Sequence, residues 1–406
     1  MGSVMIIGGG AAGMAAAVAA AMCGDRVTVL ERMDRVGKKI LATGNGRCNL
    51  MNTGELRYPG GSTLAENVLN RFGAPEQTRF WELLGLRIRQ EEGGRVYPIS
   101  GAATTVLDTL RQAMRLLGVE TVTGVHVQQL QRSRKGWVVQ ADRVYTTDRV
   151  IVAGGGCVQP KLGSDGSAYG LLTSLGHSLS PLKPALTQII TETAPIRGLS
   201  GIRVRCDVSL TAAHGGEKVR QRGELLFADY GVTGVCVMQC ARWAAPGDVV
   251  HINLARAMGF EGAEDLAAEL ITRRRTWGDD MTQLELLTGL CVPKLAIALM
   301  RAAGLDKVSE RSAALLSERR IRQIAALAAD FCLQVTGVKG FDSAQVTAGG
   351  VSCDEFDPAT LESRIARGVH AAGEVLDVDG DCGGYNLMFA FGSGVLAGLN
   401  GRSFPW

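Results

Sequence analysis

Apolar residues fall in short unbroken blocks near both ends of the chain, alternate with polar ones in its middle, and then recur at helical spacing before the blocks return. Val4-Met5-Ile6-Ile7, Val27-Thr28-Val29-Leu30, Arg149-Val150-Ile151-Val152 and Val369-His370-Ala371 suit strands buried on both faces of a parallel sheet. Ala11 to Cys23 reads as an alanine-rich helix, Thr104 to Leu117 as an amphipathic one, and Met388 to Leu399 as an Ala/Gly/Phe helix. Val119 to Val122, Val125 to Leu130, Gly136 to Gln140 and Arg143 to Tyr145 predict further strands, the later ones a small β-meander. Between residues 186 and 255, Gln188 to Glu192, Ile202 to Thr211, Glu217 to Leu226 and Asp248 to Leu254 alternate, which predicts a β-barrel-like insert. Residues 256–335 are rich in Ala, Leu, Arg and Glu at helical spacing and predict a small helical subdomain. Pro181, Pro184 and the turn Gly337 to Gly340 punctuate the two ends of this middle region. The expectation is an α/β protein: a discontinuous domain from residues 1–185 and 336–406, holding a barrel-like insert, 186–255, and a helical subdomain, 256–335.

Glycines decide what the first domain is for. Val4 to Ile7 runs into Gly8-Gly9-Gly10-Ala11-Ala12-Gly13, a G-x-G-x-x-G turn in its required place between strand and helix. Gly8 permits the tight turn, Gly10 leaves room for a pyrophosphate, and Gly13 lets the helix pack on the strand; the free N–H groups of Ala11 and Ala12 face the phosphates. The second strand ends in Glu31, which lies 18 residues beyond Gly13 and is followed by Arg32. That is close to the spacing at which a carboxylate accepts hydrogen bonds from an adenosine ribose. Ala153-Gly154-Gly155, after the Arg149 to Val152 strand, brings the chain back to the same ligand. The fold implied is Rossmann-like. Gly154-Gly155-Gly156 lacks a third glycine at the right offset, so a nicotinamide is expected to bind only transiently.

Composition narrows the class without changing it. Of 406 residues, 46% are hydrophobic and 20% charged, which excludes disorder as a main theme. A net charge of +3 supplies no strong field for nucleic acid, and Arg273-Arg274-Arg275 and Arg319-Arg320 with Arg322 fall in helical patterns that read as solvated faces. Ten cysteines without a C-x-x-C pair fit a reducing cytoplasmic compartment, and five histidines at 126, 177, 214, 251 and 370 assemble no metal-ligand set. The apolar start lacks a basic n-region, and Gly8 to Gly13 would interrupt a signal or membrane segment, so neither is expected.

Four further segments carry a resemblance: Gly37-Lys38-Lys39-Ile40-Leu41-Ala42-Thr43-Gly44-Asn45-Gly46-Arg47-Cys48-Asn49, Gly94-Arg95-Val96-Tyr97-Pro98, Ala372 to Gly380, and Gly383-Gly384-Tyr385-Asn386-Leu387. Over nearly its whole length the chain resembles the two-dinucleotide-binding-domain flavoproteins, the BaiN-like and aminoacetone-oxidase-like group that includes 3-dehydro-bile-acid Δ4,6-reductases. The resemblance implies FAD. Its ADP half would lie on the first glycine turn, its adenine on the backbone of Val127, and its ribityl chain and ring on Gly373-Glu374 and Asn386-Leu387. Gly44, Asn45 and Gly46 tolerate unusual φ angles and expose amides, while Lys39 and Arg47 can neutralise pyrophosphate or reduced-flavin charge; Thr43, Cys48 and Asn49 belong to the same loop. One segment departs from the family: Leu226-Phe227-Ala228-Asp229-Tyr230-Gly231 places Asp229 where histidine is usual.

The reading that results is a cytoplasmic, FAD-dependent oxidoreductase that uses NADH or NADPH to reduce a conjugated C=C in a steroid-like enone. Tyr230, Asp229, Arg95 and Tyr97 are the candidates for donating a proton and polarising the carbonyl. The partner expected is an apolar small molecule, with no nucleic acid and no membrane. Two alternatives stay open: a flavin amine oxidase of the aminoacetone type using oxygen, and a non-catalytic or RNA-modifying flavoprotein.

Overall fold

The computed structural model describes residues 2–405. Five parallel strands form the central sheet, in the order Val369–Ala371, Arg149–Val152, Ser3–Ile7, Arg26–Glu31 and Glu120–Thr123. Ile6 sits between Ile151 and Val29, and every residue of Arg149–Val152 is buried, as a strand covered on both faces requires. Helix Ala11–Met22 is buried from Ala12 to Ala20 and packs along helix Tyr385–Leu399. Small side chains permit this approach. A Cβ built on Gly394 would lie 2.3 Å from the Ala12 carbonyl oxygen, and one on Gly398 would lie 2.5 Å from that of Ala16.

The meander comprises Gln129–Ser133, Gly136–Gln140 and Val144–Thr147. Residues 125–128, expected as the start of a strand, run outside any ladder. Val125 N–H donates to the Glu31 carbonyl and Gln128 N–H to that of Gln140, while Val127's backbone between them lines the cleft described below. A further antiparallel sheet joins Met51–Asn52, Arg95–Pro98 and Ile88–Gln90.

The chain divides into two compact units, one of residues 1–183 and 344–406, the other 184–343. In the second unit a closed six-stranded barrel runs Ile189–Thr191, Gly231–Thr233, Glu217–Ala228, Arg203–Thr211, Val249–Asn253 and Phe331–Val338. The last strand corrects the expected boundary at 335. Phe331–Val338 alternates buried and exposed residues and pairs with Val249–Asn253 and Ile189–Thr191, so residues read as the end of a helical subdomain close the barrel instead. The helices Ala263–Trp277, Pro293–Ala302 and Glu318–Ala329 lie between two barrel strands in the chain and share one core with them, including Phe227, Ile252, Leu270, Leu299 and Ile324. Several arginines of these helices are engaged: Arg273 with Glu269, Arg275 with Glu318, and Arg322 with Glu264.

Candidate cofactor and active site

A cleft of about 1310 Å³, part of it open to solvent, lies entirely within the first unit, at the end of the central sheet where the glycine turn emerges. Its wall includes Gly8, Gly10, Ala11, Ala12, Glu31, Arg32, Lys39, Thr43, Val127, Ala153, Gly154, Gly155, Gly373, Glu374, Asn386 and Leu387. These sites are scattered along the sequence, and the parallel sheet brings them together because its strands all end on this side.

The glycine turn is shaped for close approach. Gly8 has φ +101, its N–H donates to the Leu30 carbonyl at 2.9 Å, and a Cβ there would strike the Ala153 carbonyl oxygen at 2.5 Å. Gly13 does not line the cleft. A Cβ on it would lie 1.9 Å from the Gly8 oxygen, so it permits the helix to start where it does. At Gly10 no atom lies within 4 Å of a built Cβ, and the helix it caps has no side-chain cap. The first-turn N–H groups therefore point toward an open space suited to an anion.

Glu31 is 8% exposed and held from two sides: Gly9 N–H donates to its Oε2 at 2.7 Å and Met33 N–H to its Oε1 at 2.7 Å. Each oxygen keeps a lone pair for a ribose hydroxyl. Across the cleft, Glu374 accepts from Thr347 N–H at 2.9 Å and from Lys39 Nζ at 2.7 Å. Lys39 thus meets the carboxylate expected to hold the ribityl chain. Arg32 pairs with Asp165, and the Asn386 side chain is spent on Gly380, donating to its carbonyl and accepting from its N–H, each at 2.8 Å.

The loop after Thr43 turns away from the cleft wall. Gly44 and Asn45 adopt left-handed conformations, φ 56 and 55, and Gly46 has φ 81. The Arg47 guanidinium pairs with Glu91 at 2.6 Å and stacks 4.0 Å over the Tyr97 ring, so it is held by this chain's own groups rather than facing the cleft. Cys48 is fully buried with φ 57, and burial pushes its thiol up to about 12. Asn49 has a different standing: its Oδ1 is buried without a hydrogen-bond partner among the described residues, beside Gly384 at the start of the C-terminal helix.

Of the four candidates for chemistry, Tyr97 is 8% exposed beneath Arg47, and Arg95 is exposed on the same strand. Asp229 and Tyr230 form the turn between Glu217–Ala228 and Gly231–Thr233 in the barrel. Lys339 Nζ lies 4.4 Å from the Tyr230 ring, and burial raises that phenol above its usual range.

The HI0933-like protein Rossmann domain matches residues 2–400. The chain belongs to that family. It is 38% identical, over all of both chains, to the 3-dehydro-bile acid Δ(4,6)-reductase of Clostridium scindens. It is 26% identical to the ribosomal RNA dihydrouridine synthase of Escherichia coli, covering 96% of this chain and 95% of that one. Among solved structures, the 3-ketosteroid-Δ4-(5α)-dehydrogenase of Rhodococcus jostii aligns over 99% of this chain and 97% of its own with 16% identity and a TM-score of 0.49. The family resemblance read from Gly37 to Asn49 and from the C-terminal glycine segments is thus a family membership.

Several wall residues carry no signal in the sequence: Met33, Arg35, Gly163, Ser164, Ala168 and Phe389. They come from loops and helix faces without a motif, and only Ser164 hints at a role, donating from Oγ to Gly156 O at 3.0 Å while lying 3.5 Å from Lys39 Nζ. No helix among the described residues is long and apolar enough to cross a membrane.

Proposed function

We propose that this chain is an FAD-dependent reductase that saturates a C=C bond conjugated with a carbonyl in a 3-oxo steroid acid, drawing reducing equivalents from NADH or NADPH in the cytoplasm. The observation that carries the reading is the end-to-end relation, at 38% identity, to a reductase of 3-dehydro bile acids in a chain whose cleft is lined by both the first glycine turn and the Gly373-Glu374 segment. The names of the two relatives also share one chemistry. A 3-oxo-Δ4 steroid and a uridine base each present a C=C next to a carbonyl, and a Δ4,6-reductase and a dihydrouridine synthase each leave it saturated.

The residues divide the work as follows. The amides of Ala11 and Ala12 would hold the pyrophosphate, Glu31 the adenosine ribose, Val127 the adenine, and Glu374 a ribityl hydroxyl, with Lys39 balancing its charge. Bound FAD would supply a two-electron carrier between nicotinamide and carbon. Tyr230 would donate the proton that the α-carbon needs, with Asp229 beside it in the position usually held by histidine. Arg95 and Tyr97 would polarise the carbonyl. Ten free cysteines support a reducing compartment.

The second reading is the same reduction on a uridine in RNA, favoured by the 26% relatives and opposed by a net charge of only +3. Anaerobic mixing separates the readings. The protein as purified should release FAD, NADH or NADPH should bleach it, and a 3-oxo-Δ4 bile acid should restore the colour. Restoration by a uridine-containing RNA and not by the enone would move the assignment to RNA. Bleaching by aminoacetone with no response to either nicotinamide would replace both by an amine oxidase.

A further inference from the structure

The five histidines are scattered through the sequence, yet the barrel brings one of them to a cysteine and an aspartate. His251 on Val249–Asn253 is the cross-strand partner of Cys332 on Phe331–Val338, and Asp330 immediately precedes that strand at the end of helix Glu318–Ala329. His251 Nδ1 lies 2.7 Å from Asp330 Oδ1 and 3.4 Å from Cys332 Sγ, and a donor atom from each residue falls within 4.8 Å of the other two. The other ring nitrogen, Nε2, is 2.9 Å from Thr211 Oγ1 on the neighbouring strand Arg203–Thr211.

We propose that His251, Asp330 and Cys332 form a zinc-type cation site on the outer wall of the barrel, with water completing the coordination. Three arguments carry it. Imidazole, thiolate and carboxylate are the ligand types that a borderline-soft divalent ion prefers, and three protein ligands plus water is a common zinc arrangement. The spacing suits it: zinc bonds of ~2.0–2.3 Å at tetrahedral angles put ligand atoms roughly 3.4–3.6 Å apart, which the thiol and ring already match. Asp330 is half-exposed, with 59% of its side chain accessible, so it can draw back from its present hydrogen bond to that distance. Finally, Thr211 can accept from Nε2–H, which leaves the Nδ1 lone pair facing the other two ligands, the outer contact that orients metal-bound histidines.

Binding would require the Cys332 thiol to give up its proton to solvent. The flavin cleft lies in the other unit.

The test uses the full-length flavoprotein, dialysed against micromolar zinc and then against metal-free buffer, with metal content measured against flavin content. One zinc per chain is expected, falling at least tenfold in Cys332→Ser and in His251→Ala while FAD content and helicity stay unchanged. Cobalt should give tetrahedral d–d bands at wavelengths beyond the flavin absorption, absent in both variants. Zinc that is not retained by the parent protein, or is retained equally by the two variants, overturns the site.

Discussion

At Glu31 a spacing read along the chain and a geometry in space agree: the acid stands at the end of the second strand, and the amides of Gly9 and Met33 aim its carboxylate along the cleft wall. At His370 they do not. The residue sits in the edge strand of the central sheet, 1% exposed, with Nε2 against Asn400 Oδ1 at 3.0 Å and Nδ1 without a partner among the described residues. Burial, reinforced by the Arg149 charge, lowers its pKa from 6.5 to about 4. The unfolded chain therefore takes up a proton that the native protein refuses, and stability is full above pH 6.5 and falls as pH drops toward 4. At pH 5 the loss from this residue is ~2 kcal/mol. Urea titrations at pH 7 and pH 5 should show it in the parent protein and show a smaller difference in His370→Gln. Equal pH dependence in both would mean that other groups set the acid limit.

Helices and strands were readable wherever one period governed a segment. Arg26–Glu31, Ala103–Leu116 and Arg203–Thr211 all lie within a residue or two of where their apolar spacing places them. Phe331–Val338 was not readable, because its alternation follows a helical stretch without a break and its glycines suggested a turn. The loop from Gly44 to Asn49 was readable as glycine-rich but not in direction: nothing in its residues announces that Arg47 would be taken by Glu91 and Tyr97, residues more than forty positions away. What does follow at this scale is the cost of adding bulk between paired helices. Gly394→Ala would press a methyl group against the Ala12 backbone, so helix Tyr385–Leu399 must back away from the helix that carries the phosphate-facing amides. We expect a loss of ~1–3 kcal/mol in stability and a lower FAD content in the purified protein. Gly170→Ala is the control, since nothing lies within 4 Å of its built Cβ and it sits within helix Ser167–Thr173. That change should be neutral or stabilise by about 0.4–1 kcal/mol. A Gly394→Ala protein with parental stability and flavin would show that the two helices are less tightly coupled than their spacing implies.

Across the whole molecule, the apolar interior is partitioned. One cluster runs from Val4 to Leu399 without using any residue between 183 and 350, and the other runs from Ile189 to Val335. The flavin cleft lies in the unit built on the first, whereas Asp229, Tyr230 and the His251 cluster lie in the unit built on the second. This partition was visible in the sequence as a change of period flanked by prolines. The closure of the barrel was not, since it depends on a pairing between strands far apart in the chain. A unit with its own core and a closed sheet has no unpaired edge to protect and should fold without the rest of the protein. Residues 184–343 expressed alone are therefore expected to unfold in one cooperative transition, with circular dichroism of mixed strand and helix, and to bind no FAD. The barrel strands Ile189–Thr191 and Phe331–Val338 pair with each other near the two ends of this fragment, so the cut leaves the ladder that closes it intact. A fragment that is soluble but binds hydrophobic dyes and melts without a transition would show that the barrel needs the flavin domain to complete its packing. The candidates Asp229 and Tyr230 would then have to be read as parts of a single folding unit with the cleft.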